Sequence, residues 1–241
     1  MTTKRADKLL FIKGLAKSRS AAQNLISEGK AFCDGRVITK PSEPLDVNSK
    51  LTVSEKEKYV SRGGYKLEYA LNRFSIDVSG DVCADIGAST GGFTDCLLQR
   101  GAKTVYAIEG GHGQLDKNLQ NDSRVLSIEG FNARELDINT IKEPCDTVVM
   151  DVSFISQTLL HKNVYSVLKD GGKFITLIKP QFEAGKENIG KHGIASASSY
   201  DTVKNKVISS AQSCGFKLID IDTSVIKGGD GNTEFIAYFL K

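Results

Sequence analysis

A chain of 241 residues with 40% hydrophobic and 25% charged residues has the composition of an ordinary globular protein and room for one large core beside a small one. No run approaches the roughly 18 apolar residues of a membrane helix, and MTTKRADKLLFIKG lacks a signal-peptide core, so a cytoplasmic protein without a membrane partner is expected. The net charge of +3 conceals an asymmetry, because residues 4–40 hold nine Lys or Arg against three acids, a basic end that suits a polyanion.

In chain order, residues 1–58 read as helix, helix, hairpin. Leu9 and Leu10 face inward from a short helix ending before Gly14. A second helix starts at Ser18, a good N-cap, buries Ala22, Leu25 and Ile26, and stops at Gly29. Asp34-Gly35 joins the short strands FC and RVIT, since both turn residues tolerate positive φ. Lys40-Pro-Ser and Leu51-Thr-Val complete a small α+β unit. The stretches GLAKSRSAAQNLISEGK and DGRVITKPS resemble the small RNA-binding module first seen in a ribosomal small-subunit protein, the S-four domain. That resemblance implies that Arg5, Lys17, Arg19, Lys30 and Arg36 contact phosphate or ribose of folded RNA, with an affinity that falls steeply with salt.

Residues 59–66, YVSRGGYK, read as a linker, with Gly63-Gly64 supplying backbone freedom. From 67 to 241 a helix containing Leu67, Ala70, Leu71 and Phe74 precedes alternating strands and helices. Strands are expected at VCADIG, TVYAIE, RVLSIE, TVVMD and KFITLI, and helices near 92–100, 113–120, 155–168 and 198–214. The alternation predicts an α/β fold, a Rossmann-like parallel sheet. The last two strands, GFKLIDIDTSV and TEFIAYFL, are joined by the Gly-rich IKGGDGN without a helix, which makes that pair antiparallel. The five cysteines are widely spaced with no C-x-x-C pair, which fits reduced thiols and gives no metal framework.

The first strand-to-helix turn carries Asp85-Ile-Gly87-Ala88-Ser89-Thr90-Gly91-Gly92-Phe93. Such turns lie at the carboxyl edge of the sheet, where α/β folds bind ligands. The spacing G-x-x-x-G-G is not that of dinucleotide binders, and an acid before the first glycine suits a cationic amino-acid group better than a pyrophosphate. Glu109 ends the next strand, where an acid can bind both ribose hydroxyls of an adenosine. Together these residues point to S-adenosylmethionine.

The strings SRGGYKL, DIGASTGGFTDCLLQRGAKTVYAIE, MDVSFIS, KPQFEAGKENIGKHG and GNTEF, in that order over nearly the whole chain, resemble the TlyA family of rRNA methyltransferases, whose catalytic domain is similar to FtsJ-type 2′-O-methyltransferases. The resemblance implies S-adenosylmethionine-dependent methylation of ribose 2′-hydroxyls on cytidines of ribosomal RNA. It further implies a catalytic Lys-Asp-Lys-Glu set made of Lys66, Asp151, Lys179 and Glu234, with Asp151 also beside the donor methyl and Asn132 at the adenine edge. The chemistry suits these residue types: a 2′-hydroxyl is a poor nucleophile that must be aligned and lose a proton. Lysine does this work only with a lowered pKa, for which burial and Lys66 as a second cation near Lys179 are the expected devices. Pro180 fixes the chain leaving Lys179. With no Trp in the chain, base stacking falls to Phe or Tyr, of which Phe154 and Phe182 are nearest in sequence. KHGIASASS stands where relatives carry G-G-V-V-R-D, so the family's Arg-Asp pair has no counterpart, and Glu109 stands where they have Asp.

Three other functions remain open at this point. A non-catalytic RNA-binding or ribosome-assembly protein would give no labelled methyl transfer. A pore-forming haemolysin, a name some relatives carry, would lyse vesicles, and a nicotinamide dehydrogenase would be stabilised by a different cofactor.

Overall fold

The computed structural model describes residues 2–54 and 58–241, and by its internal contacts the chain divides into a unit of residues 1–58 and a unit of residues 59–241. Residues 55–57 of the expected N-terminal segment lie outside the described residues.

The first unit holds β1 (Thr3–Arg5), α1 (Ala6–Ile12), α2 (Arg19–Ser27), β2 (Ala31–Cys33), β3 (Arg36–Val37), β4 (Pro44–Asp46) and β5 (Leu51–Val53). Ser18 caps α2, its side chain accepting a hydrogen bond from Ala21 N at 3.1 Å. The Asp34-Gly35 turn takes positive φ at both residues, as a two-residue hairpin turn requires. β2 pairs antiparallel with β3 and β5, and Leu9, Leu10, Ala22, Leu25, Ile26 and Ile38 form the core. β1, with no counterpart in the sequence reading, pairs antiparallel with β4. Three residues are too few to show a strand period, so only pairing reveals it.

The second unit opens with α3 (Arg62–Arg73) and β6 (Val82–Ile86), then α4 (Gly92–Gln99), β7 (Thr104–Ile108), α5 (Lys117–Gln120) and β8 (Val125–Ile128). It continues with β9 (Cys145–Met150), α6 (His161–Val167), β10 (Leu168–Ile178), α7 (Pro180–Glu183), α8 (Tyr200–Ser213), β11 (Lys217–Thr223) and β12 (Phe235–Leu240). The sheet order is β11-β12-β10-β9-β6-β7-β8, parallel except for β12, which runs antiparallel to both neighbours. This is the expected α/β architecture, a mostly parallel Rossmann-like sheet with one antiparallel strand. One hydrophobic cluster holds Ile86, Val148, Met150, Phe174 and Phe239, and another holds Leu67, Leu71, Phe93, Leu97 and Ile175. The order reverses between β6 and β9, the switch point where such sheets open a crevice.

The expected linker over residues 59–66 is corrected in part: α3 begins at Arg62, so Gly63 and Gly64 are helical. A Cβ on Gly64 would stand 2.3 Å from the Tyr59 ring, so this glycine serves close packing rather than bending. The helix expected over 155–168 starts only at His161, because Gln157–Leu159 form a short 3₁₀ turn held by other elements. No helix among the described residues is long and apolar enough to cross a membrane.

Candidate active site

Strand register delivers the site. Ile86 of β6 pairs with both Ile108 of β7 and Met150 of β9, so Asp85, Glu109 and Asp151 all sit at the carboxyl edge. β10 ends at Ile178, and its partner there is Phe235, the first residue of the antiparallel β12. Glu234 therefore enters the sheet where Lys179 leaves it. Lys66 comes from the second turn of α3.

The four residues form two ion pairs. Lys66 Nζ is 2.5 Å from Glu234 Oε2, and the two residues are only 6% and 2% exposed. Lys179 Nζ lies 2.6 Å from Asp151 Oδ1, although its aligned hydrogen bond goes to Ser153 Oγ at 2.9 Å. Each ammonium thus has its own carboxylate, which offsets the cost of removing both from water. Lys66, expected as the second cation with Asp151 and Glu234 orienting the two lysines, is paired with Glu234, and Lys179 with Asp151.

Lys66, Asp151, Ser153 and Lys179 line a chamber of about 200 Å³ together with Asp85, Gly87 and Ser61–Gly63. Asp85 is fully buried. Its Oδ2 accepts from Thr94 N at 2.9 Å and Thr94 Oγ1 at 2.7 Å, while Oδ1 is buried with no partner among the described residues. Burial pushes this carboxyl up to about 7, against the lowering effect of the Thr94 hydrogen bonds. An orphaned carboxylate oxygen in a chamber is the fit expected for a cationic amine. A second chamber of about 440 Å³ shares Gly87, Ser89, Asp151 and Ser153 with the first and adds Glu109, Phe131 and Asn132. That volume suits a nucleoside. Glu109 is fixed at its wall, accepting from Ser89 N at 2.9 Å and Gly111 N at 2.8 Å.

Two glycines are forced by close approach. Gly87 has φ +82°, and a Cβ there would lie 2.7 Å from the Asp151 carbonyl, so only glycine lets the β6 turn pass the end of β9. At Gly92 a Cβ would meet Ser61 Oγ at 2.2 Å, which keeps the starts of α3 and α4 together. Of the other expected cofactor residues, Ala88, Ser89, Thr90, Gly92 and Phe93 line the smaller chamber. Gly91 lines neither; a Cβ there would collide with Leu119 at 2.3 Å, so it is a packing residue. Asn132 lines the larger chamber and also caps a 3₁₀ turn, accepting from Arg134 N at 3.1 Å.

Sequence reasoning missed Ser153 and Ser61–Gly63, although each adjoins a motif it had singled out, MDVSF and SRGGYKL. It also missed Asn232. This residue is 1% exposed, accepts from Ala195 N at 2.9 Å and donates to Gly193 O at 3.0 Å, so it secures the KHGIA stretch without an Arg-Asp pair.

In the first unit the expected RNA contacts are held by acids. Arg5 and Arg19 both pair with the buried Asp7, at 3.1 and 2.9 Å, and Gln23 adds a hydrogen bond at 2.9 Å. Arg5 holds the Asp7 carboxyl well below the usual carboxylate range. Lys30 pairs with Glu28 at 2.9 Å and Arg36 with Glu43, while Lys17 is exposed. The side chains of Arg5 and Arg19 stay about half exposed, at 48% and 52%.

Comparison with known proteins identifies both units of the chain. Residues 59–241 match the family described as FtsJ-like methyltransferase, and residues 4–51 match the S4 domain. The chain is 42% identical over 241 residues to Hemolysin A of Brachyspira hyodysenteriae, covering 98% of this chain and 99% of that one. It is 40% identical over 243 residues to the 16S/23S rRNA (cytidine-2′-O)-methyltransferase TlyA of Mycobacterium tuberculosis, covering 98% and 88%. A solved fibrillarin of Aeropyrum pernix with bound S-adenosyl-L-methionine superposes with a TM-score of 0.55 at 16% identity, covering 87% of this chain and 94% of that one, a likeness of fold alone.

Proposed function

The chain belongs to the FtsJ-like methyltransferase family and carries an S4 domain, and on that premise we propose that it methylates ribose 2′-hydroxyls of ribosomal RNA with S-adenosylmethionine, on cytidine as its TlyA relatives are named for. The observation that carries the reading is the placement of Lys179 between Asp151 and Ser153, in the chamber that also holds Lys66 and the orphaned Asp85 oxygen.

S-adenosylmethionine, when bound, supplies an electrophilic methyl on a sulfonium that needs neither metal nor acid to leave. The residues fit it in two parts. Asp85 Oδ1 takes the cationic amine beside the glycine turn, while Glu109 and Asn132 take the ribose hydroxyls and adenine edge in the larger chamber. The ribose hydroxyl of the RNA meets Lys179 Nζ, which as the free amine takes its proton, or as the ammonium stabilises the oxygen while the proton passes to water. Asp151 and Ser153 orient that nitrogen, and Lys66, paired with Glu234, lines the same chamber. Phe154 is the platform for the target base: it is 92% exposed, backed by Phe182 with ring centroids 5.1 Å apart, and borders the larger chamber.

In this reading residues 1–58 are the RNA-binding unit. Arg5, Lys17, Arg19, Lys30 and Arg36 reach phosphates, and a substrate of this kind places the enzyme in the cytoplasm with ribosomal subunits or their RNA as partner. The test is tritium transfer from labelled S-adenosylmethionine to ribosomal RNA by the purified chain, followed by mapping of 2′-O-methyl positions. Transfer to ribose supports the assignment. Vesicle lysis without any methyl transfer would replace it with the haemolysin reading.

A further inference from the structure

The loop that follows Asp151 carries Ser153, bonded to Lys179, and Phe154, whose φ of +64° is unusual for a bulky side chain. A residue in that conformation persists only where its surroundings over-determine it. The surroundings converge on one carboxylate. Glu183, 6% exposed, ends α7, the single turn that leaves Lys179 through Pro180. Its Oε1 accepts from Gln157 N at 2.7 Å, and its Oε2 accepts from Ser156 Oγ at 2.6 Å. Lys206 of α8 donates to the same Oε2 at 3.1 Å and to the Glu183 carbonyl at 2.9 Å. Gln157, 1% exposed, ties the loop back to β10, donating to Leu177 O at 3.1 Å and accepting from Thr176 Oγ1 at 2.6 Å.

We propose that Glu183 is a positioning residue for methyl transfer, clamping residues 152–157 against the turn that carries Lys179 and so fixing Ser153 and Phe154 at the reaction centre. The proposal rests on the assignment of Lys179 and Asp151 made above. Glu183 lines neither chamber, so its effect passes through the loop. One face of α7 holds the loop through Glu183, and Phe182 on the same turn backs Phe154. Without the carboxylate the Gln157 N–H loses its acceptor and Ser156 keeps only Thr158 Oγ1 at 2.8 Å, which leaves the loop to the Gln157 side chain, the Ser153–Lys179 bond and the Phe154–Phe182 contact.

The experiment measures methyl transfer to ribosomal RNA by the full-length chain. Lys179→Ala is the first arm, and loss of transfer there secures the underlying assignment; an undiminished rate removes that assignment and this proposal together. In the second arm Glu183→Ala is expected to lower kcat at least tenfold while the S-adenosylmethionine Kd, by calorimetry, and the KM for RNA stay within threefold. Glu183→Gln, which still accepts from the Gln157 N–H, regains most of the rate. A merely structural role would not move the third readout. The chain has no tryptophan, so Phe154→Trp gives a single fluorophore in the loop, whose anisotropy should fall when Glu183→Ala is added. If Glu183→Ala fails to fold, Ser156→Ala removes one of the two loop contacts and is expected to lower kcat about threefold. A dead Lys179→Ala beside an undiminished Glu183→Ala, an undiminished Ser156→Ala, or an unchanged anisotropy overturns the proposal alone.

Discussion

Both units of this protein pair cations with carboxylates, but they do so in opposite settings. In the catalytic unit Lys66 and Glu234 are buried together, and Lys179 and Asp151 face a chamber. In the N-terminal unit Arg5 and Arg19 lean on the buried Asp7 with their side chains about half exposed, and Arg36 meets Glu43 at the surface. Breaking a buried pair strands a charge out of water, whereas an exposed pair releases its partners to solvent at little cost. The pairing is therefore fixed where the carboxylate is buried, at Glu234 and at Asp7, and loose at the surface pairs Arg36–Glu43 and Lys30–Glu28.

The sharpest way to break this comparison is Lys179→Ala. It is expected to lower methyl transfer at least a thousandfold in a labelled-donor assay, while the S-adenosylmethionine Kd changes less than twofold. Next in size, Glu234→Ala leaves the Lys66 ammonium buried without its partner and should cost about 3–5 kcal/mol of stability in denaturant unfolding. Adding Lys66→Met should return much of that loss, because an apolar pair needs no desolvation. A loss no greater than that of a surface variant would end the contrast drawn above.

A third effect separates the chambers by pH. The ligand-free Asp85 carboxyl is pushed up to about 7, above its unfolded value near 3.9. Between those values the folded state holds a proton the unfolded state lacks, so this group's contribution to stability declines as pH rises from about 4 to 7. Binding of a cationic amine needs the ionised form and has the opposite sign. S-adenosylmethionine affinity should rise about fivefold from pH 6 to pH 7.5 in calorimetry, above which the ligand's own α-amino group loses its charge, and Asp85→Asn should bind weakly with no such rise. Smallest is Arg36→Ala, expected to weaken RNA binding a few-fold and to reduce the salt slope by about one, with an unchanged melting temperature.

Much of the site was legible because its residues stand at strand ends, and strand ends can be read from period and punctuation. Asp85, Glu109, Asp151 and Lys179 each follow or close an apolar run, and their common edge follows from a parallel sheet. The Gly63-Gly64 pair misled for a physical reason: glycine marks a flexible joint and a tight contact alike, and only the Tyr59 ring over Gly64 distinguishes them. Ser153 and Glu183 stayed hidden because a serine or glutamate near a motif carries no pattern of its own. Their roles come from partners 26 residues or more away in the sequence.

By itself the sequence determined the strands of the second unit, the glycine turn beside Asp85, and the antiparallel pairing of the last two strands. Only the tertiary structure decided which ammonium meets which carboxylate, and that Asp85 keeps one oxygen without a partner among the described residues. Strand identity depends on near neighbours in the chain. Pairing across 168 residues, as between Lys66 and Glu234, depends on strand order and on glycines that let packed backbones touch.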